Sequence, residues 1–355
     1  MQRKLVTRAV AAAAVAAAAA IPASSALGAS GTLNGAGSTL VQPLVQTVWA
    51  SDFKSSTGST VNYSGVGSSA GIAAATGKTV DFGASDAPLT SAQQTQCGCV
   101  EIPWALTATG PAFNLPGITK LNLNGDVLAG IYLGTITHWD DPAIAKINKG
   151  VKLPNLNISP VYRSDGSGDT YAFTNFLYHS NSTWRTKVGL GTQVSFPAGT
   201  GAKGNSGVAG VIASTSGAIG YVSTFYVRQT PAIHQASVEN LAGKFVYPYI
   251  QDITAAAALV KHVNSNAPIS IVNPAWTKPK KGAKLTATEK LQQIAYPIST
   301  YTYTIVPSSP KQADLLKQFL NFAITPAEQK KGAHLVFAPL PKQVVTADQK
   351  AINSL

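Results

Sequence analysis

Arg163-Ser164-Asp165-Gly166-Ser167-Gly168-Asp169-Thr170 places a guanidinium, hydroxyls and glycines within a few residues of one another. The apolar run Ile158 to Tyr162 precedes it, and Tyr171 to Tyr178 follows with helical spacing. A turn that opens a helix leaves backbone N–H groups unpaired and concentrates positive dipole, which suits an anion. Glycine lets backbone approach closely, Ser167 and Thr170 add hydroxyls, and Arg163 brings a planar fork matched to an oxyanion. In outline this is a pocket for a small oxyanion. An N-capped helix after a turn accounts for the stretch equally well when it is taken alone.

Two further turns repeat the pattern. Gly35-Ala36-Gly37-Ser38-Thr39-Leu40 precedes helical spacing from Leu44 to Phe53. The strand-like Thr60 to Tyr63 leads through Gly65-Val66-Gly67-Ser68-Ser69 into a short Ala-rich helix. Val80 to Asp86 then reads as a strand ending in a carboxylate. Hydroxyl-bearing turns at several predicted helix starts, with an Arg and an Asp at strand ends, are the layout of a site assembled from successive βα units.

Other motifs fall away. Gly67-Ser68-Ser69-Ala70-Gly71 fits G-x-S-x-G and would make Ser69 a nucleophile, but the pattern arises easily in a Gly/Ser-rich chain and no His stands out as its base. Gly71 lies one residue too far from Gly77-Lys78-Thr79 for a phosphate-binding P-loop. Asp140-Asp141-Pro142 reads as a helix cap rather than a metal site. Cys97 and Cys99, the two cysteines, form either a strained local bridge or a pair of loop thiols. No spacing of His, Cys and carboxylates calls for a metal or cofactor.

The elements that hold such a site must come from a chain of 355 residues, 45% of them hydrophobic, which is enough for two lobes. Residues 1–28 read as an export signal, with Arg3, Lys4 and Arg8 before the apolar Ala11 to Ile21 and small residues at Ala26-Leu27-Gly28. Its loss would lower the formal charge from +12 to +9. The remaining Lys and Arg are scattered, without the stripe expected of a nucleic-acid binder. Their field gathers anions. Residues 273 to 288 read as a solvated basic loop, Tyr296 to Ile305 alternates like a strand, and Asp314 to Ala323 as an amphipathic helix.

Taken together the chain resembles the phosphate-binding proteins of bacterial Pst ABC transporters. The likeness rests on Gly35 to Thr39, Asn62 to Ser69, Val80 to Pro88, Ile131 to Gly134 with Trp139 to Asp141, Arg163 to Thr170, Gly217 to Val222 and Ala338 to Pro341. It implies an α/β, two-lobed periplasmic-binding-protein fold of type II, hinged by crossing strands and closing over dehydrated phosphate. Lobe 1 would comprise 29–112 and 297–355, and lobe 2 would comprise 113–296, with 251–296 able to touch both. The resemblance assigns phosphate contact to Thr39, Leu40 (through its N–H), Ser68, Asp86, Arg163, Ser167, Gly168, Asp169 and Thr170. Asp169 stands where some members have Thr, and would either touch the ligand or orient Arg163. The implied protein is a non-enzymatic, monomeric receptor outside the cytoplasm, peripheral to the membrane through an ABC permease. A secreted phosphatase-like hydrolase and a receptor for another oxyanion are the competing readings. One chemical point is independent of the resemblance. An ionised Asp86 accepts a hydrogen bond, which protonated phosphate can supply and sulfate cannot.

Overall fold

A computed structural model describes residues 30–260, 270–274, 276–279 and 282–355; the expected signal segment and parts of the 273–288 loop lie outside this set. Among the described residues twelve strands form two sheets: β1 (Thr32–Gly37), β2 (Thr60–Gly65), β3 (Phe82–Ser85), β4 (Val100–Phe113), β5 (Asn122–Leu123), β6 (Ser159–Arg163), β7 (Thr200–Ala202), β8 (Ala218–Ser223), β9 (His234–Gln235), β10 (Ser237–Glu239), β11 (Phe245–Val246) and β12 (Ser299–Val306). The large sheet runs β2-β1-β3-β12-β4-β8-β6-β7, with β9 beside β4, and β11-β10-β5 makes a small one.

Each end of the large sheet is a parallel βα unit. β1 pairs in parallel with β2 and β3, and β6 with β7 and β8. Parallel neighbours require crossovers, and helices supply them. Residues 42–57 link β1 to β2, Ser68–Thr76 links β2 to β3, and Gly204–Ser214 links β7 to β8. The carboxyl ends of β1, β2, β3 and β6 therefore all feed turns that open onto one region.

β4 joins the two ends. Its residues Val100 to Ala108 pair with β12, and Thr109 to Phe113 pair with β8. Pro103 and Pro111 lie inside it, positions that cannot donate to a ladder. Near Pro103 the β4–β12 register shifts between Thr302 and Tyr303, so the irregularity falls beside the missing donor. The alternation read in Tyr296 to Ile305 does not separate a wet face from a dry one. Every residue of β12 is buried, because helices cover both faces of the central sheet.

The Ala313–Ala323 helix buries Leu316, Phe319, Leu320 and Ala323 at helical spacing. Phe319 packs 5.3 Å from Phe53, 5.8 Å from Phe82 and 6.4 Å from Trp104, centroid to centroid. Burying one such large side chain contributes about 1.5–3 kcal/mol, so this cluster firmly anchors the helix to the β1–β3 end. Tyr221 stacks on Phe173 at 4.5 Å in the other half. Asp141 accepts from Ala143 N at 2.8 Å ahead of Pro142, so the Asp-Pro pair is a cap. Cys97 and Cys99 are bonded to each other.

Candidate functional site

The turns after β1, β2, β3 and β6 meet in one buried cluster. Ser38, Thr39, Ser68, Asp86, Arg163, Ser167, Asp169 and Thr170 are all buried. Ser167 caps the Gly168–Ser180 helix, its Oγ accepting from Asp169 N at 3.0 Å and Thr170 N at 3.4 Å. Gly168 meets the opposite half. Its N–H donates to Ser68 Oγ at 3.0 Å, and a Cβ on it would lie 2.3 Å from the Cβ of Asp86 and 2.6 Å from its Cα. Ser69 N donates to Gly166 O at 3.1 Å, and Ser69 Oγ donates to Thr192 Oγ1 at 3.2 Å. The cleft between the halves is thus closed.

Arg163 is 3% exposed and lies between carboxylates. Nε donates to Asp165 Oδ1 at 2.8 Å, Nη2 to Asp165 Oδ2, and Nη1 to Asp169 Oδ2 at 2.8 Å. A guanidinium has five N–H donors, so two remain after these bonds. Asp165 Oδ1 also accepts from Gly204 N at 2.9 Å. Burial works to raise the pKa of Asp165, but the hydrogen bonds and charge of Arg163 outweigh it and hold the carboxyl below its ordinary value. Asp165 is thereby a fixed counter-ion that aims the guanidinium.

Asp86 faces this group from the β3 end. Ser38 Oγ donates to its Oδ2 at 2.6 Å, and its backbone N donates to Ser68 Oγ at 3.2 Å. Asp86 Oδ1 and Asp169 Oδ1 are buried with no hydrogen-bond partner among the described residues. Burial, and then the Asp169 charge, push the Asp86 carboxyl up to about 7, against the pull of Ser38, Thr302 and Arg163. Burial also raises Asp169, although Arg163 and Asn205 oppose it. Like charges brought together in a dry site resist joint ionisation, so this pair favours holding a proton. Two spare guanidinium donors and a hydroxyl-lined turn, set against a carboxylate oxygen in need of a donor, suit a tetrahedral anion that keeps a proton.

The predicted residues converge here, with particular geometries for three of them. Leu40 N donates to Ser38 Oγ at 3.0 Å. Thr170 Oγ1 pairs with Tyr221 O–H at 2.8 Å. Asp169 Oδ2 accepts from Arg163 Nη1 at 2.8 Å, the contact that an orienting role needs, while its Oδ1 stays unpartnered among the described residues, as a ligand contact would need. The contact set named from the sequence left out Ser38, whose hydroxyl turn it had marked, and Asp165, Asn205 and Tyr226. Asp165 lay within the opening motif, and its i, i+2 spacing from an Arg at a strand end was the available signal. Asn205 and Tyr226 act from distant elements, donating to Thr39 Oγ1 at 3.0 Å and Thr39 O at 2.9 Å, and no local pattern marks them.

A model of the PBP superfamily domain matches residues 22–327. Phosphate-binding protein PstS of Xylella fastidiosa is 37% identical over 315 residues, covering 88% of this chain and 82% of that protein. The protein of the same name from Pasteurella multocida is 36% identical, covering 88% and 87%. Among solved structures, a high affinity periplasmic phosphate-binding protein bound with phosphate superposes with a TM-score of 0.68 at 22% identity, covering 90% of this chain and 93% of that one. The phosphate binding protein from Stenotrophomonas maltophilia gives 0.62 at 17%, with coverage of 90% and 93%. At these identities the structural likeness bears on the fold, which is the two-lobed periplasmic-binding-protein architecture. The family match and the identities of the curated relatives go further: this chain belongs to the PstS phosphate-binding proteins of the PBP superfamily.

Proposed function

We propose that this protein binds inorganic phosphate in the closed cleft, outside the cytoplasm, and delivers it to the permease of an ABC transporter without chemical change. The observation that carries the reading is Arg163, buried between Asp165 and Asp169, facing an Asp86 whose Oδ1 lacks a donor among the described residues. Phosphate near neutral pH has acceptor oxygens for Arg163, the Thr39 hydroxyl and helix N–H groups, and at least one proton for Asp86. The contact set is the nine residues from Thr39 to Thr170 named from the sequence, with Asp169 acting chiefly on Arg163. The chain divides near the expected 112/113 and 296/297 positions, a reading supported by the switch of β4 from β12 to β8 between Ala108 and Thr109. Among the described residues no helix is long and apolar enough to cross a membrane. Hydrolysis finds no support at Ser69, whose hydroxyl is spent on Thr192.

Titration calorimetry tests this on protein stripped of ligand by unfolding and refolding. One saturable phosphate site per chain is expected; absence of heat up to millimolar phosphate would remove the reading.

A further inference from the structure

Asn205, at the start of the Gly204–Ser214 helix, has its orientation fixed by its surroundings. Its Oδ1 accepts from Ser223 N at 2.8 Å, and a backbone N–H can only donate, so the amide cannot be reversed. Nδ2 donates to Asp169 Oδ2 at 2.7 Å and to Thr39 Oγ1 at 3.0 Å, which uses both of its hydrogens. The backbone N–H of Asn205 reaches the same Thr39 oxygen at 3.3 Å. Asn205 therefore has no donor left for a ligand.

The consequence falls on Thr39. A hydroxyl has two acceptor lone pairs and one hydrogen, and Asn205 supplies two donors. With both lone pairs filled, the Thr39 hydroxyl can act only as a donor. Thr39 lies after β1 while Asn205 follows β7, so this forcing exists only when the two halves meet. Tyr226 O–H, also from the β8 side, holds the Thr39 carbonyl at 2.9 Å and fixes the turn while this happens.

We propose that Asn205 is a positioning residue that makes the Thr39 hydroxyl an obligate donor on closure, so that closing the cleft itself completes the oxyanion site. In the open form the hydroxyl is free to rotate between donating and accepting, and a ligand presenting an acceptor at Thr39 meets a fixed donor only once the halves have met. The effect therefore falls on ligand release. This rests on the phosphate reading above.

The test is a double-mutant cycle read with inorganic phosphate by calorimetry and stopped-flow, using Asn205→Ala, Thr39→Val, the double variant and Thr39→Ser. Asn205→Ala should weaken binding by about thirtyfold in the wild-type background but by about threefold beside Thr39→Val, the remainder reflecting its contact with Asp169. Thr39→Ser, which keeps the hydroxyl, should retain the full sensitivity. Most of the loss should appear as faster dissociation. Equal losses in the wild-type and Thr39→Val backgrounds would overturn the proposal while leaving phosphate binding intact. A wild type that fails to bind phosphate would instead overturn both readings, and shows at the first titration. Should the alanine variant melt below the assay temperature, Asn205→Gln, which displaces the amide by one carbon, gives the same comparison.

Discussion

On the proposed reading discrimination depends on Asp86, and its ionisation gives that role a sign. Burial, followed by the Asp169 charge, raises its pKa to about 7, so the carboxyl is increasingly neutral below that value and ionised above it. Ionised Asp86 asks the ligand for a proton, which phosphate has and sulfate lacks. Neutral Asp86 can itself donate, so sulfate becomes tolerable as the pH falls. Sulfate affinity should therefore rise by about tenfold from about pH 8 to about pH 6, following the neutral fraction of a group with that pKa. In Asp86→Asn, whose amide can donate at any pH, sulfate should bind more tightly near pH 8 and the slope should vanish. Calorimetric sulfate titrations at the two pH values check this; a level wild-type profile would count against it. Gly168 has an equally specific steric role. A Cβ there would strike the Asp86 backbone across the cleft, so Gly168→Ala should weaken phosphate binding by more than about tenfold with little change in ligand-free melting, because the collision arises only on closure.

At the scale of elements, the sequence disclosed the outer βα units and hid the strand that connects them. Thr60 to Tyr63, Val80 to Asp86 and Gly217 to Val222 each lie between turn residues, and all three appear as strands. β4 carries Pro103, Gly110 and Pro111, which break the local pattern; its continuity comes from pairing with β12 and then β8, information far away in sequence. The same limit explains the site. Arg163, Asp86 and the hydroxyl turns were legible because each sits at the end of its own strand. Asn205 and Tyr226 were not, because their function lies in what they reach. One element also carries a removable cost. Asp348, on the Lys342–Asn353 helix, is 2% exposed with Oδ2 unpartnered among the described residues, and burial raises its pKa to about 9. A raised carboxyl stabilises the fold fully below its unfolded pKa and loses that contribution as the pH climbs toward about 9. Asp348→Asn should accordingly stabilise the protein by about 1–3 kcal/mol near pH 8 and by little near pH 4. Thermal melts at both values check the sign.

For the whole molecule, two parallel units joined through β4 close over a cluster that neither completes alone. β1, β2 and β3 deliver Thr39, Ser68 and Asp86, while β6 and β7 deliver Arg163 and Asn205. The formal charge of +12 adds a field that draws anions of any kind, so attraction alone gives no selectivity. On the proposed reading selectivity arises after capture, when water is excluded and Asp86 meets the ligand. Phosphate and sulfate titrated in parallel into stripped wild-type protein near pH 7.5 test that claim most directly. Phosphate should bind tighter by about a thousandfold or more, the scale reached when a buried polar group is left facing a ligand that cannot satisfy it. Sulfate binding within about tenfold of phosphate would contradict the account.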